Sequence, residues 1–221
     1  MLRTLRPRHI SGALLAYALL RPLSAAAADD ETQAWLTESV VIRASAADTI
    51  GIDSSQRFRS GRANGEQQTV RVLLDHGVAP GLLIGGGLAY FRSAAEQELR
   101  FFEQATFTRG VFLARARLEQ RYFDTAERPG WRLRQRLQAA IPLGSRKAPT
   151  LIAATEFFFQ LNRARPSDKT GLATMRQQIG LRQPLSKALD LQFLYMRQQT
   201  FRDRRPDTVS HIPWATLTWK I

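Results

Sequence analysis

Apolar and polar residues alternate along most of the chain. Phe112, Ala114, Ala116, Leu118 and Tyr122 fall on one side of a period-two repeat, and Arg115, Arg117, Glu119 and Arg121 fall on the other. That is the pattern of a strand with one apolar and one polar face. Trp131, Leu133, Leu137, Ala139 and Ile141 oppose Arg132, Arg134, Arg136 and Gln138 in the same way, and Ala215, Leu217, Trp219 and Ile221 oppose Thr216, Thr218 and Lys220. A 3.6-residue repeat fits stretches such as Glu96–Arg109, but nowhere as strongly. The alternation predicts eleven strands, near 33–44, 49–59, 67–76, 81–92, 97–108, 111–124, 130–141, 150–162, 171–183, 189–201 and 210–221. Most span ten to fourteen residues, whereas soluble strands cluster at ~5–6 residues and a tilted membrane-crossing strand needs ~9–11.

The connections alternate too. Ser45–Asp48, His76–Pro80, Arg109–Gly110, Pro142–Pro149 and Ser186–Ala188 are mostly tight, and they take turns with the more polar, generally longer Ser60–Glu66, Ser93–Glu96, Thr125–Pro129, Arg163–Thr170 and Arg202–Val209. Short turns at one rim and longer charged loops at the other are the layout of an outer-membrane barrel with its short side periplasmic. The fold expected is all-β: an antiparallel up-and-down transmembrane β-barrel of about 10–12 strands. Eleven conflicts with the even strand number of bacterial single-chain barrels, so ten or twelve strands, or a segment 29–44 lying partly in the lumen or at the rim, is also open. The alternative is a soluble, lipocalin-like barrel with the apolar face inside. A closed sheet of ten or more strands has a lumen wider than aliphatic side chains readily fill, which favours apolar side chains outside, against acyl chains, and arginines inside. Trp35, Trp131 and Trp219 fall near strand ends, where an aromatic girdle sits.

Composition fits a folded chain, with 44% apolar and 23% charged residues, but 28 Arg and 4 Lys against 19 acids give a formal +13 that first suggests a nucleic-acid binder. Residues 1–28 change that reading. Arg3, Arg6 and Arg8 precede an apolar run, Ile10–Leu20, and a small-residue stretch, Ser24–Ala28, which is the grammar of a cleaved signal peptide. The barrel is then residues 29–221, formally +9, exported and destined for the cell outer membrane, with no nucleic-acid partner expected. Cysteine is absent, so neither disulfides nor thiolate metal sites arise.

The polar faces carry an expected lumen ladder of charge: Glu98, Arg100, Arg115, Arg117, Glu119, Arg121, Arg132, Arg134, Arg136 and Glu156. A two-residue hairpin at Arg109–Gly110 would pair Thr108 with Val111, setting Glu98 opposite Arg121 and Arg100 opposite Glu119. Pairing Phe123 near Gly130 brings Glu119 close to Arg134, and Arg136 approaches Glu156. One reading is barrel stabilisation by cross-strand ion pairs, ~0.2–1 kcal/mol each when hydrated. The other is a small anion-favouring pore, because arginines outnumber acids and rings of Arg favour anionic solutes.

Gln33-Ala34-Trp35, Glu98-Leu99-Arg100, the run Arg115-Ala116-Arg117-Leu118-Glu119-Gln120-Arg121, and Arg132-Leu133-Arg134-Gln135-Arg136 followed by Ile141-Pro142-Leu143 resemble the outer-membrane β-barrel family of unknown function numbered 2490. The resemblance covers essentially the whole chain after residue 28. It implies a barrel in a Gram-negative outer membrane and carries over no catalytic residue or activity.

Candidate chemistry is sparse. His76 and His211 are the histidines beyond the signal peptide. Ser210 and His211 are adjacent on a strand and point to opposite faces, so His211 would need a hydroxyl from another strand and an orienting acid such as Asp207 to form a barrel-wall lipid hydrolase. Two isolated histidines and no cysteine offer no metal site. Gly85-Gly86-Gly87 lies mid-strand without the Gly-Lys-Ser/Thr of a phosphate loop, and marks a bend or a close approach. The expectation is therefore a monomeric barrel, not an enzyme, without cofactors. Its partners are membrane lipids, lipopolysaccharide at the basic loops (Arg163, Arg165, Arg202, Arg204, Arg205), and the barrel-assembly machinery that reads a terminal strand. The alternatives are a barrel-wall lipid-modifying enzyme and a soluble periplasmic binding barrel.

Overall fold

Twelve strands follow one another with no helix among the described residues: β1 (Asp29–Thr32), β2 (Ala34–Arg43), β3 (Asp48–Phe58), β4 (Gln67–Ala79), β5 (Leu82–Ser93), β6 (Gln97–Arg109), β7 (Phe112–Phe123), β8 (Gly130–Pro142), β9 (Thr150–Gln160), β10 (Gly171–Pro184), β11 (Leu189–Thr200) and β12 (Thr208–Lys220). The computed structural model describes residues 29–59, 65–145, 147–203 and 205–221. The expected signal peptide and Arg204 lie outside them.

Each strand from β2 to β12 pairs antiparallel with the next, and β12 returns to pair with β2, closing the sheet. The closing pair is parallel, as is β12 with β1. This corrects the expected all-antiparallel barrel. Asp29 faces Thr208 and Lys220 faces Val41 at one constant offset, so β1 and β2 are two parts of a single stave. The break between them lies where Gln33 and Ala34 would face Ile212 and Pro213. The His211 carbonyl points to the seam and accepts from the Gln33 N–H at 3.0 Å. Pro213, two residues on, turns its nitrogen to the same side, and it has no N–H to give. The barrel thus has eleven staves, and residues 29–44 belong to its wall rather than to its lumen. The odd number forces the parallel seam and puts the two ends of the described chain at opposite rims.

The alternation is realised as an inverted protein. Among the described residues thirty large apolar side chains are exposed, including Leu36, Val72, Leu88, Phe101, Phe112, Leu137, Ile179 and Phe193. Arg117, Glu119 and Glu156 are each at most 2% exposed, inside the barrel. Trp131 and Trp219 face outward near opposite rims, as expected of a girdle. Trp35 does not: it is 3% exposed and packs edge-on against Trp214, centroids 5.6 Å apart. Its even-numbered neighbours Leu36 and Glu38 take the outer face, so its place on the pleat sends it inward.

The triple glycine makes room inside. A Cβ on Gly85 would come within 2.0 Å of Asp75 Oδ1 and 2.5 Å of the Leu74 carbonyl, and one on Gly87 within 2.8 Å of the Phe102 ring. Gly85→Ala is expected to destabilise the barrel by about 1–3 kcal/mol through overpacking. Gly86→Ala, whose Cβ meets only the Phe102 carbonyl at 3.2 Å, costs far less. The denaturant midpoint for loss of heat-modifiable gel mobility measures both.

Candidate functional site: the charged lumen

The inward charges sit on strands whose register is set by their turns. Gly110, with φ +60°, takes the first turn position, so Arg109 pairs with Phe112 and the loop is Gly110–Val111. A glycine with positive φ is preferred there in a two-residue hairpin. The expected pairing of Thr108 with Val111 is therefore wrong by two residues. Arg100 faces Arg121, and Glu119 faces Phe102. The next pair is displaced alike: Gly130 faces Arg121 and Glu119 faces Arg132. A shift of two keeps every side chain on its predicted face.

Because the face is preserved, diagonal contacts replace direct ones. Glu98 accepts from Arg100 Nη2 at 2.6 Å and Arg121 Nε at 2.5 Å, and so holds together two like charges that lie opposite each other. Glu119 accepts from Arg132 Nε and Arg134 Nη1, both at 2.7 Å, with Arg117 Nη1 at 3.9 Å. The expected Glu119–Arg134 approach is met; the Arg100–Glu119 bond is not made. Glu156 Oε1 accepts from Arg115 and from Arg134 Nη2, each at 2.8 Å. Arg136 stands directly opposite Glu156 but donates to Gln138 at 2.8 Å. All ten ladder residues lie on the inner face, and five of its seven arginines share its three carboxylates: Arg100 and Arg121 on Glu98, Arg132 and Arg134 on Glu119, and Arg115 and Arg134 on Glu156, with Arg134 joining the last two.

Several partners escaped the sequence reading. Arg57 and Arg176 enter the lumen from β3 and β10, Arg117 stacks 4.1 Å over Phe102, and Arg117 Nη2 donates to Gln104 Oε1 at 2.6 Å while Gln104 donates to Asp75 at 2.8 Å. Arg57 is the one arginine of β3 and Arg176 lies six residues from Arg182 in β10, so neither belongs to a dense Arg/Glu run like those of β7 and β8. The signal that would have found them is their phase, which matches that of Ser55 and Gln178.

The side chains leave a cavity of about 550 Å³. Nine arginines and four acids line it, so the cavity wall carries a clear positive excess. A second cavity of about 1020 Å³ opens at the long-loop rim among Arg163, Lys169, Arg202 and Arg205, with Asp168 and Asp203.

The histidines lie elsewhere. His76 Nδ1 is 2.7 Å from Asp48. His211 Nδ1 is 2.6 Å from the Tyr195 hydroxyl, with Asp30 at 3.8 Å from Nε2. The acid near His211 is therefore Asp30, supplied by the seam strand, and not Asp207, which accepts from Gln199 at 2.8 Å. Ser210 is on the opposite face, donating to Glu31 at 2.6 Å.

No curated protein matches the chain. A family model described as protein of unknown function (DUF2490) matches residues 32–209, from the seam strand to the start of the last strand. The all-β barrel and its inward Arg/Glu motifs are thus those of a chain that belongs to the DUF2490 family.

Proposed function

We propose that this chain is a monomeric outer-membrane β-barrel with a narrow, anion-favouring lumen. The observation that carries the reading is the inversion: apolar side chains cover the outside of the staves while guanidinium and carboxylate groups fill the inside. In water that outer surface far exceeds the few hundred Å² of contiguous apolar patch that soluble monomers tolerate. In a bilayer it is the required one, and closure satisfies the backbone. Exposed Tyr90, Tyr122 and Trp131 near the long-loop rim, and Phe107, Phe112 and Trp219 near the other, suit two interfacial girdles.

The lumen is constricted by the carboxylate-bridged arginines, so its flow is small and its preference anionic. With the long loops outside, the rim cavity at Arg163, Lys169, Arg202 and Arg205 faces lipopolysaccharide phosphates. β12, with its alternating faces, is the strand offered to the barrel-assembly machinery. We assign no enzymatic activity: Ser210 and His211 are on opposite faces, and the hydroxyl beside His211 is a tyrosine's.

The test is fractionation with heat-modifiable mobility, followed by planar-bilayer recording. Membrane recovery and small, anion-selective conductance steps are expected. Recovery from cells without detergent overturns the membrane reading, and cation selectivity overturns the lumen reading.

A further inference from the structure

The lumen arginines form two kinds of chain. On one side carboxylates join them: Arg121–Glu98–Arg100, and Arg132–Glu119–Arg134–Glu156–Arg115. On the other side aromatic rings stand between them. Phe91 lies between Arg100 and Arg57, 3.5 and 5.4 Å from their Cζ atoms. Trp35 lies between Arg57 and Arg176, at 4.0 and 5.1 Å. Phe158 lies between Arg176 and Arg134, at 4.7 and 4.5 Å. Rings hold guanidinium groups by their faces without neutralising them.

Among the described residues Arg57 and Arg176 are consequently the two cations of this circuit with no carboxylate hydrogen-bonded to them, although Glu156, held by Arg115 and Arg134, stands directly opposite Arg176 on the neighbouring strand. Arg57 donates to Gln67 Oε1 at 3.0 Å and Arg176 to Gln198 Oε1 at 2.7 Å, both neutral acceptors. The Nε of Arg57 is buried and meets no acceptor among the described residues. A buried donor left unpaired costs about 1–3 kcal/mol, and more when it is charged. Both arginines line the 550 Å³ cavity together with Trp35, and every basic residue in that lining is Arg, not Lys. A guanidinium offers parallel N–H donors that match pairs of oxygens on one atom, which an ammonium does not.

We propose that the part of this cavity between Arg57 and Arg176 is an oxyanion-binding site, in which these two arginines, set on Trp35, take a phosphoryl group or inorganic phosphate. The anion supplies the acceptors that the aromatic side of the circuit lacks, as Glu119 and Glu156 do on the other side. The cavity is far larger than phosphate alone, so the phosphoryl group of a small ester fits as well. The site deepens the anion-favouring lumen proposed above. It rests on the inward cationic face and not on the membrane location, so the two readings fail separately.

The test uses the full barrel, residues 29–221, folded in detergent micelles and verified by heat-modifiable mobility. Sodium phosphate and glycerol phosphate are titrated against sodium chloride at matched ionic strength, read by calorimetry and by tryptophan emission, since Trp35 lies at the site. Saturable phosphate binding with chloride inert supports the site. Binding of glycerol phosphate as well identifies the phosphoryl group as the ligand, and binding of phosphate alone identifies the free anion. Arg57→Gln and Arg176→Gln are each expected to weaken binding ~10-fold or more, the loss of a charged hydrogen-bond donor, with Arg57→Lys falling between. A phosphate response equal to that of chloride overturns the proposal, as does wild-type phosphate affinity in the folded glutamine variants. Should those variants fail the mobility check, the comparison of phosphate with chloride on the unaltered barrel decides alone. A barrel that fractionates with membranes and selects anions yet ignores phosphate sinks this site and leaves the broader reading standing.

Discussion

Glu119→Gln is expected to lower the stability of the folded barrel by about 3–5 kcal/mol, the cost of breaking a buried ion network by removing one partner. Glu119 is 1% exposed and accepts from Arg132 and Arg134, with Arg117 close by. The glutamine keeps the shape and one acceptor oxygen but donates an N–H toward cations, and three guanidinium groups then face one another with less negative charge between them. Urea unfolding followed by heat-modifiable mobility measures the loss. Replacing Arg132 by Gln in the same chain removes one of the stranded cations, and the double variant is expected to recover part of that loss, a coupling between contacting charges that single substitutions do not reveal. Equal stability of Glu119→Gln and the unaltered barrel would mean that water in the lumen, and not the carboxylate, screens these arginines.

The ladder shows how much of this was legible in sequence. Period-two alternation named the inner face of β7 and β8 residue by residue, because the pleat leaves no freedom in which side a residue takes. It did not fix the pairing. Register depends on which residues occupy the turn, and the alternation alone puts Gly110 second in the loop, whereas its positive φ makes it first. An error of two residues preserves the face, so Glu98 still meets Arg121 and Glu119 still meets Arg134, although neither pair is directly opposite. Long side chains reach diagonal neighbours, and the network tolerates the shift.

The seam and Trp35 were hidden for different reasons. Closure is a contact between the first and last strands, and no local pattern reports its direction. Only the count of eleven, at odds with an even barrel, marked the place, and the parallel pairing of β12 with β1 and β2 resolves it. Trp35 sits near a strand end, as girdle residues do, but position along a strand says nothing of face. Its neighbours on the pleat decide that, and they put it against Arg57 and Arg176. The aromatic half of the lumen was therefore invisible to a search for charge pairs, since its members are single arginines separated by rings from other strands.

Leu137→Arg and Ile179→Arg separate the two environments in which an inverted barrel could sit. Leu137 lies near the middle of β8 and Ile179 near the middle of β10, 48% and 51% exposed on the outer face. Neither packs in the lumen, so the internal network is untouched by the change. At the midplane of a bilayer an outward arginine costs about 2–4 kcal/mol, falling to about 0–1 near the interfaces. In water the same substitution on an exposed face stays within about 0.5 kcal/mol, and it relieves an apolar patch. The expected result is destabilisation by about 2–4 kcal/mol for each variant folded into lipid vesicles, with a far smaller cost for an arginine at Trp131, on the rim. A uniform, near-zero effect across all three depths would place the apolar face in water and overturn the membrane reading. A graded loss, greatest at Leu137 and Ile179, makes the exposed apolar side chains on the outer face of the strands the lipid-facing surface of the barrel.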